Sequence, residues 1–88
     1  MPVPQVVIYG TGSCGYCVHA RILLDKKGGE YADIRLEGKP EKRVEMEQRS
    51  GATSVPQIWI GDRHIGGCME LWALENTGEL DSLLTIEN

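Results

Sequence analysis

The chain has 88 residues, 41% of them hydrophobic, and a formal net charge of −4 at pH 7. Its size suits one domain over residues 1–88, and its acidic balance argues against nucleic acid, because phosphate-binding surfaces need clustered lysine and arginine. The sequence contains no apolar run long enough for a membrane span, no signal-peptide pattern, and three cysteines, an odd number for a disulfide framework. We therefore expect a cytoplasmic protein that does not associate with membranes.

The first strand and helix are predicted from apolar patterning and from their end signals. Residues 3–9 are apolar and rich in β-branched side chains, which is typical of a buried strand. Ser13 is the expected N-cap of a helix that starts at Gly15 and stops at Gly28-Gly29. Its buried face is predicted to contain four residues with helical spacing, namely Cys17, Ala20, Leu23 and Leu24.

A second strand and a second helix follow. Residues 31–36 alternate between apolar and polar side chains, which predicts a strand with one face in solvent. Residues 41–49 favour a helix that has Pro40 in its first turn and Val44, helped by Met46, as its apolar anchor. A strand, helix, strand and helix in this order predict that the two strands are parallel.

The second half of the chain predicts a hairpin and a final helix. Residues 55–60, which are mostly apolar, are joined to Arg63-His64-Ile65 by Gly61-Asp62, a two-residue link typical of a β-hairpin. Gly66-Gly67 then opens a helical stretch that is interrupted at residues 76–78.

Two cysteines three residues apart, Cys14 and Cys17, are the most informative feature of the sequence. At a helix start their sulfurs are close enough to form a reversible disulfide, and the free N–H groups of the first turn favour a thiolate at Cys14. Spacing alone leaves a metal site, a structural disulfide and a redox centre open. His19 and His64 suggest zinc, but zinc sites usually have a second well-spaced ligand pair, so we predict no metal there.

The order of elements and three further motifs resemble the dithiol glutaredoxins, most closely the small bacterial ones. The matching segments lie along nearly the whole chain at Ile8-Tyr9, Cys14-Gly15-Tyr16-Cys17, residues 53–58, residues 64–68 and Glu70-Leu71. The resemblance implies an α/β fold of the thioredoxin-like class, with a four-stranded mixed sheet flanked by helices on both faces. It also implies a glutathione-dependent thiol-disulfide oxidoreductase that reduces protein-glutathione mixed disulfides and protein or small-molecule disulfides.

The resemblance assigns roles to residues around the two cysteines. Cys14 is expected to be the nucleophile and Cys17 the thiol that resolves mixed disulfides. Pro56 is expected to follow a cis peptide bond, with the main chain of Val55 pairing with the cysteinyl backbone of glutathione. Tyr16 is expected to form a wall of the glutathione groove.

Further glutathione contacts are implied along the loops and at the last helix. Gly67 is expected to allow a close backbone approach, and the N–H groups of Cys68 and Met69 to hold the γ-glutamyl carboxylate. Thr11 and Met69 stand where relatives commonly have a lysine and an aspartate that contact glutathione, so two charge contacts are expected to be absent. Arg49 is the expected substitute at the glycyl carboxylate.

Gly15 leaves a second function open, because many dithiol glutaredoxins have proline at this position. Relatives with a small residue there sometimes hold a [2Fe-2S] cluster between two protomers, with the Cys14 thiolate and glutathione as ligands. The alternative is therefore a cluster-bridged dimer that acts as a carrier or redox sensor, rather than a monomer that reduces glutathionylated or disulfide-containing proteins. A thioredoxin served by a flavoprotein reductase is disfavoured, because Gly15-Tyr16 differs from the Gly-Pro of that family.

Overall fold

The computed structural model describes residues 4–85 and contains four strands and four helices within them. In chain order they are β1 (Val6–Gly10), α1 (Gly15–Lys26), β2 (Ala32–Arg35), α2 (Pro40–Ser50), β3 (Gln57–Ile60), β4 (Arg63–Gly66), α3 (Cys68–Thr77) and α4 (Glu79–Leu83). The four-stranded sheet has the order β2-β1-β3-β4, with β2 parallel to β1 and the other neighbours antiparallel. The predicted mixed sheet and parallel first pair are confirmed.

Helices cover both faces of this sheet. Successive residues of a strand point to opposite faces, so each central strand contributes side chains to two core clusters. On β1, Ile8 packs into a core cluster with α1, α3 and α4, whereas its neighbour Tyr9 packs into a second cluster with α2. On β3, Ile58 and Trp59 divide between the two clusters in the same way. The first cluster is the larger and contains Val6, Ile8, Ala20, Leu23, Leu24, Ile58, Ile60, Cys68, Leu71 and Leu80.

Most helix ends lie close to the predicted positions. Pro40 occupies the first turn of α2, which ends with Gly51 as its C-cap, and α1 ends shortly before Gly28. The predicted break in the last helical stretch is confirmed at Gly78, where α3 ends and α4 follows. The predicted β3–β4 hairpin is also confirmed. The first strand begins at Val6, so its predicted start is too early: Pro4 and Gln5 are not part of β1, and Val3 lies outside the described residues.

Two local predictions are wrong. Val44 is 51% exposed. The fully buried anchor of α2 is instead Met46, which packs in one cluster with Tyr9 and Trp59 of the sheet. Ser13 is exposed and is not the N-cap of α1. The N-cap is Cys14, whose extended backbone is the conformation that a cap residue needs.

Candidate active site

Cys14 and Cys17 lie at the start of α1, where the loop after β1 turns into the helix. Cys14 caps the helix, and its carbonyl accepts a hydrogen bond of 3.0 Å from the amide of Val18. Both thiols are free, with Cys14 half-buried and Cys17 fully buried one turn further on. The accessible sulfur is therefore at Cys14, and its partner lies beneath it.

The two thiols have opposite electrostatic environments. The pKa of Cys14 is lowered, mainly by the backbone N–H of Cys17, with further contributions from the Cys17 thiol, the Tyr16 N–H and the charge of Arg21 that outweigh the effect of burial. The pKa of Cys17 is raised, mainly because burial disfavours its thiolate. Cys14 is consequently the more nucleophilic sulfur at neutral pH.

A groove of about 480 Å³ extends from Tyr16 to the start of α3. Its wall consists of Tyr16, Ala52, Ser54, Val55, Pro56, Gln57, His64, Gly66, Gly67, Cys68, Met69 and Glu70. The Val55-Pro56 peptide bond is cis, as predicted. A Cβ at Gly67 would lie 3.4 Å from the carbonyl oxygen of Pro56, an ordinary van der Waals distance, so the loop and the start of α3 are close neighbours.

A hydrogen-bonded chain supports the loop before Pro56. The side-chain amide of Gln57 is buried and donates to the carbonyl of Ser54 at 3.0 Å and to its hydroxyl at 3.2 Å. The amide oxygen of Gln57 lies 2.7 Å from Nε2 of His64, which must donate because that oxygen can only accept. His64 stacks on Trp59 at a centroid distance of 4.7 Å. Gln57 and His64 were not predicted to line the groove. Their positions in two segments that match the glutaredoxins, residues 53–58 and 64–68, could have identified them.

Comparison with known proteins identifies the family of this chain. A family model described as Glutaredoxin matches residues 6–65. The chain belongs to the glutaredoxin family. It is 52% identical over 83 residues to a glutaredoxin of Pseudomonas aeruginosa, covering 94% of this chain and 99% of that protein.

Solved glutaredoxin structures have the same thioredoxin-like fold. The solution structure of glutaredoxin from Brucella melitensis is 48% identical, with a TM-score of 0.82 over 96% of this chain and 91% of that chain. A buckwheat glutaredoxin-glutathione complex is 31% identical, with a TM-score of 0.83 over 91% and 76% of the two chains. Membership of the family makes this chain a thiol-disulfide oxidoreductase, and glutathione is the family's co-substrate.

Six of the glutathione contacts predicted from the glutaredoxin family lie together in the groove wall. They are Tyr16, Val55, Pro56, Gly67, Cys68 and Met69. Tyr16 and Met69 are 63% and 72% exposed, so both can contact a ligand. Cys68 is a buried thiol whose pKa is raised by burial, which agrees with a packed residue rather than a third redox centre.

Thr11 and Arg49 lie outside that wall. The carbonyl of Thr11 accepts a hydrogen bond of 2.9 Å from Nη1 of Arg21. Arg49 donates to the hydroxyl of Tyr9 at 2.8 Å, and its guanidinium lies 4.3 Å from the ring centroid of Trp59. The charge of Arg49 is therefore held against two aromatic rings, and its contact with a glycyl carboxylate stays a prediction.

The part of the chain that the structure describes offers little for a metal within one protomer. Residues 4–85 contain no group of three or more histidine, cysteine, aspartate or glutamate side chains that could hold a metal ion.

None of the helices in residues 4–85 combines the length and apolar character required to cross a bilayer.

Proposed function

We propose that this glutaredoxin reduces protein-glutathione mixed disulfides, with glutathione as the electron donor, and also reduces protein and small-molecule disulfides. The observation that carries the proposal is the half-buried Cys14 thiol at the N-terminus of α1, whose pKa is lowered mainly by the backbone N–H of Cys17 and which lies two residues from Tyr16 in the groove wall. We further propose that it acts as a monomer in the cytoplasm, where a reducing environment keeps Cys14 and Cys17 as thiols.

The glutathionyl reaction needs Cys14 alone. Its thiolate attacks the glutathione sulfur of the mixed disulfide, and the bond to the substrate sulfur breaks. The substrate leaves as a thiolate that takes a proton from water, and Cys14 becomes glutathionylated. The thiolate of a second glutathione then attacks the glutathione sulfur of this adduct, which releases glutathione disulfide and restores the Cys14 thiolate. The net reaction consumes one free glutathione thiol and converts the mixed disulfide to the substrate thiol and glutathione disulfide.

Protein disulfides require Cys17 in addition. Cys14 first forms a mixed disulfide with the substrate protein, and Cys17 then attacks the Cys14 sulfur and releases the substrate as a thiol. Two glutathiones reduce the resulting Cys14–Cys17 disulfide. A glutaredoxin potential of roughly −200 to −230 mV makes glutathione a competent reductant for this step.

We propose that glutathione lies along the groove with its cysteinyl backbone paired to Val55 and its γ-glutamyl carboxylate at the N–H groups of Cys68 and Met69. The aromatic ring of Tyr16, which also lines the groove, contacts the remainder of the tripeptide. The start of α3 suits a carboxylate because the first N–H groups of a helix have no partner within it. Glu70 accepts the N–H of Gly67 at 2.7 Å, which leaves the two following N–H groups for the ligand.

The direct test is steady-state reduction of a small glutathionyl mixed disulfide, coupled to glutathione reductase. Cys14→Ser is expected to abolish the reaction because it removes the nucleophile, and Cys17→Ser is expected to retain much of it. Equal loss in the two variants would count against the mechanism. Replacing glutathione and its reductase by thioredoxin reductase is expected to give no turnover, and turnover with that donor would favour a thioredoxin.

A glutathione-ligated [2Fe-2S] dimer is the second candidate, and the open surroundings of Gly15 are the observation that favours it. Gly15 is exposed, and a Cβ added there would meet no atom within 4 Å. One protomer does not suffice for a cluster, because Cys17 is buried and Cys14 is the more accessible of the two thiols. Reconstitution with iron, sulfide and glutathione under anaerobic conditions tests this candidate. A coloured dimer would support it, and a colourless monomer would exclude it.

A further inference from the structure

Arg21 is a buried cation directly below the two cysteines. It follows Cys17 by one helical turn on α1, and its side chain is only 10% exposed. Nε forms an ion pair of 3.2 Å with Asp33 on β2, and Nη1 donates to the carbonyl of Thr11 at 2.9 Å. The third nitrogen, Nη2, is buried without a hydrogen-bond partner among residues 4–85. Burying a hydrogen-bond donor without a partner lowers the stability of the fold, so the buried position of Nη2 requires an explanation.

The unpartnered nitrogen lies on the side of Cys17. A Cβ built on Gly10 would be 2.8 Å from Sγ of Cys17 and 3.3 Å from Nη2 of Arg21, so both atoms adjoin the same small volume at the end of β1. Because Cys17 and Arg21 are four residues apart, they also lie on the same face of α1. The positive charge is thus held close to the buried sulfur without a direct ion pair.

We propose that Arg21 is a positioning residue for the resolving step, and that its charge stabilises the Cys17 thiolate that attacks the Cys14 mixed disulfide. This role rests on the dithiol branch of the proposed function. Arg21 acts on Cys17 through the electric field of its guanidinium group and does not contact the substrate.

The balance of charges around Cys17 makes its activation depend on the state of Cys14. Burial raises the pKa of Cys17, the hydrogen bond from the Thr11 amide lowers it, the Cys14 thiolate raises it, and Arg21 lowers it. Once Cys14 is part of a disulfide its negative charge is gone, whereas the Thr11 amide and Arg21 remain. The pKa of Cys17 therefore falls when a substrate has been captured, which is when the resolving thiolate is needed.

Other charged and titratable groups face this region from the neighbouring elements. On β2, Asp33 binds Arg21 and also forms a 3.0 Å ion pair with the exposed Arg35. Glu37 accepts the N–H of Gly12 at 2.6 Å, and on α3 the buried thiol of Cys68 lies within the field of Cys14. Asp33 offsets part of the Arg21 charge, so removing Asp33 should have the opposite effect to removing Arg21.

The step balances without an added reactant. Cys17 loses its proton to water, its thiolate attacks the Cys14 sulfur, and the bond between Cys14 and the substrate sulfur breaks. The substrate leaves with the electron pair and is protonated. Cys17 is oxidised as it joins Cys14 in the new disulfide, Cys14 passes from one disulfide to another, and the substrate sulfur is reduced.

A two-phase reaction with one equivalent of 5,5′-dithiobis(2-nitrobenzoate) isolates this step from glutathione. The first release of nitrothiobenzoate follows attack by Cys14 on the reagent. The second follows attack by Cys17 on the Cys14 mixed disulfide, and its rate as a function of pH reports the ionisation of Cys17 in that state. Stopped-flow absorbance separates the two phases in one trace, and unfolding in urea checks each variant.

Four variants separate charge from structure. Arg21→Met is expected to move the pH midpoint of the second phase upward by about one pH unit. At pH 7 that phase becomes roughly threefold slower, because the tenfold loss of thiolate is partly offset by the higher nucleophilicity of a more basic thiolate. Arg21→Lys keeps the midpoint near that of the wild type. Asp33→Asn is expected to move the pH midpoint of the second phase downward. Arg35→Met removes an exposed arginine that pairs with the Asp33 carboxylate, and it is expected to leave that midpoint unchanged.

Some outcomes overturn the inference. Arg21→Met with an unchanged midpoint would do so, as would equal upward shifts in Arg21→Lys and Arg21→Met. Upward shifts in both Arg21→Met and Asp33→Asn would indicate that the ion pair serves packing alone. If Arg21→Met does not fold, the lysine and asparagine variants decide the question. Absence of the first phase in the wild type would instead contradict the nucleophilic role of Cys14 on which the proposed function depends.

Discussion

Gly10→Ala should disturb the resolving thiol while leaving the nucleophile in place. The added Cβ would lie 2.8 Å from Sγ and 3.3 Å from Cβ of Cys17, against an ordinary carbon contact of about 3.5–4.0 Å. The short side chain of Cys17 is fixed on α1 and fully buried, so the helix or the strand has to move by several tenths of an ångström. Overpacking of this kind costs about 1–3 kcal/mol of stability.

Gly15→Ala is the matched control. A Cβ there meets nothing within 4 Å, and the residue opens α1. Alanine should therefore stabilise the fold slightly, by about 0.4–1 kcal/mol, because it restricts the unfolded chain. The two substitutions add the same methyl group at positions five residues apart in the same active-site segment.

Urea unfolding followed by tryptophan fluorescence measures both free energies, and the two-phase thiol assay then reports the chemistry. For Gly10→Ala we expect lower stability and a slower second phase, with a first phase close to that of the wild type, because the three atoms nearest to the new methyl group belong to Cys17 and Arg21 rather than to Cys14. If Gly10→Ala is as stable as Gly15→Ala and resolves at the wild-type rate, the close packing of Gly10 on Cys17 is refuted.

Three further predictions concern the core, the thiols and the groove. Met46→Ala should lower the free energy of unfolding by about 2–5 kcal/mol, whereas Val44→Ala should change it by less than about 0.5 kcal/mol in the same urea titration. Because the pKa of Cys14 is lowered, iodoacetamide should alkylate Cys14 with a pH midpoint below the ordinary thiol value. The alkylation rate should fall only when the pH drops through that lowered pKa. In a Cys14→Ser variant the charge of the Cys14 thiolate is gone, but burial, the largest cause, still raises the pKa of Cys17, so the Cys17 midpoint should remain above that of Cys14; a Cys17 midpoint at or below that of Cys14 would contradict the opposite pKa shifts. Gln57→Leu should raise KM for a glutathionyl substrate several-fold with little change in kcat, because it removes the support of the Val55-Pro56 loop; a selective fall in kcat would contradict this.

The sequence was most informative where a single residue type determines the local backbone. Pro40 sets the start of α2, and the Gly61-Asp62 link marks the hairpin, because few residues suit those positions. The CxxC spacing and the resemblance were sufficient to identify both thiols and six groove residues, since these lie in short segments of fixed order.

The sequence was least informative where tertiary packing decides. α2 is polar with only two apolar candidates, so its pattern did not show that Met46 rather than Val44 faces the sheet. Arg21 is the clearest omission, because an arginine on a helix is usually exposed and its burial depends on Asp33 from another element. Its helical spacing from Cys17 was the signal that could have identified it.

The central claim is that Cys14 alone carries the glutathionyl reaction, and a trapped adduct tests it most directly. A Cys17→Ser variant is treated with glutathione disulfide, digested without reductant, and analysed by mass spectrometry of its peptides. We expect one glutathione, attached to Cys14, that is lost on addition of excess glutathione. A stable adduct on Cys68, or none on Cys14, would contradict it.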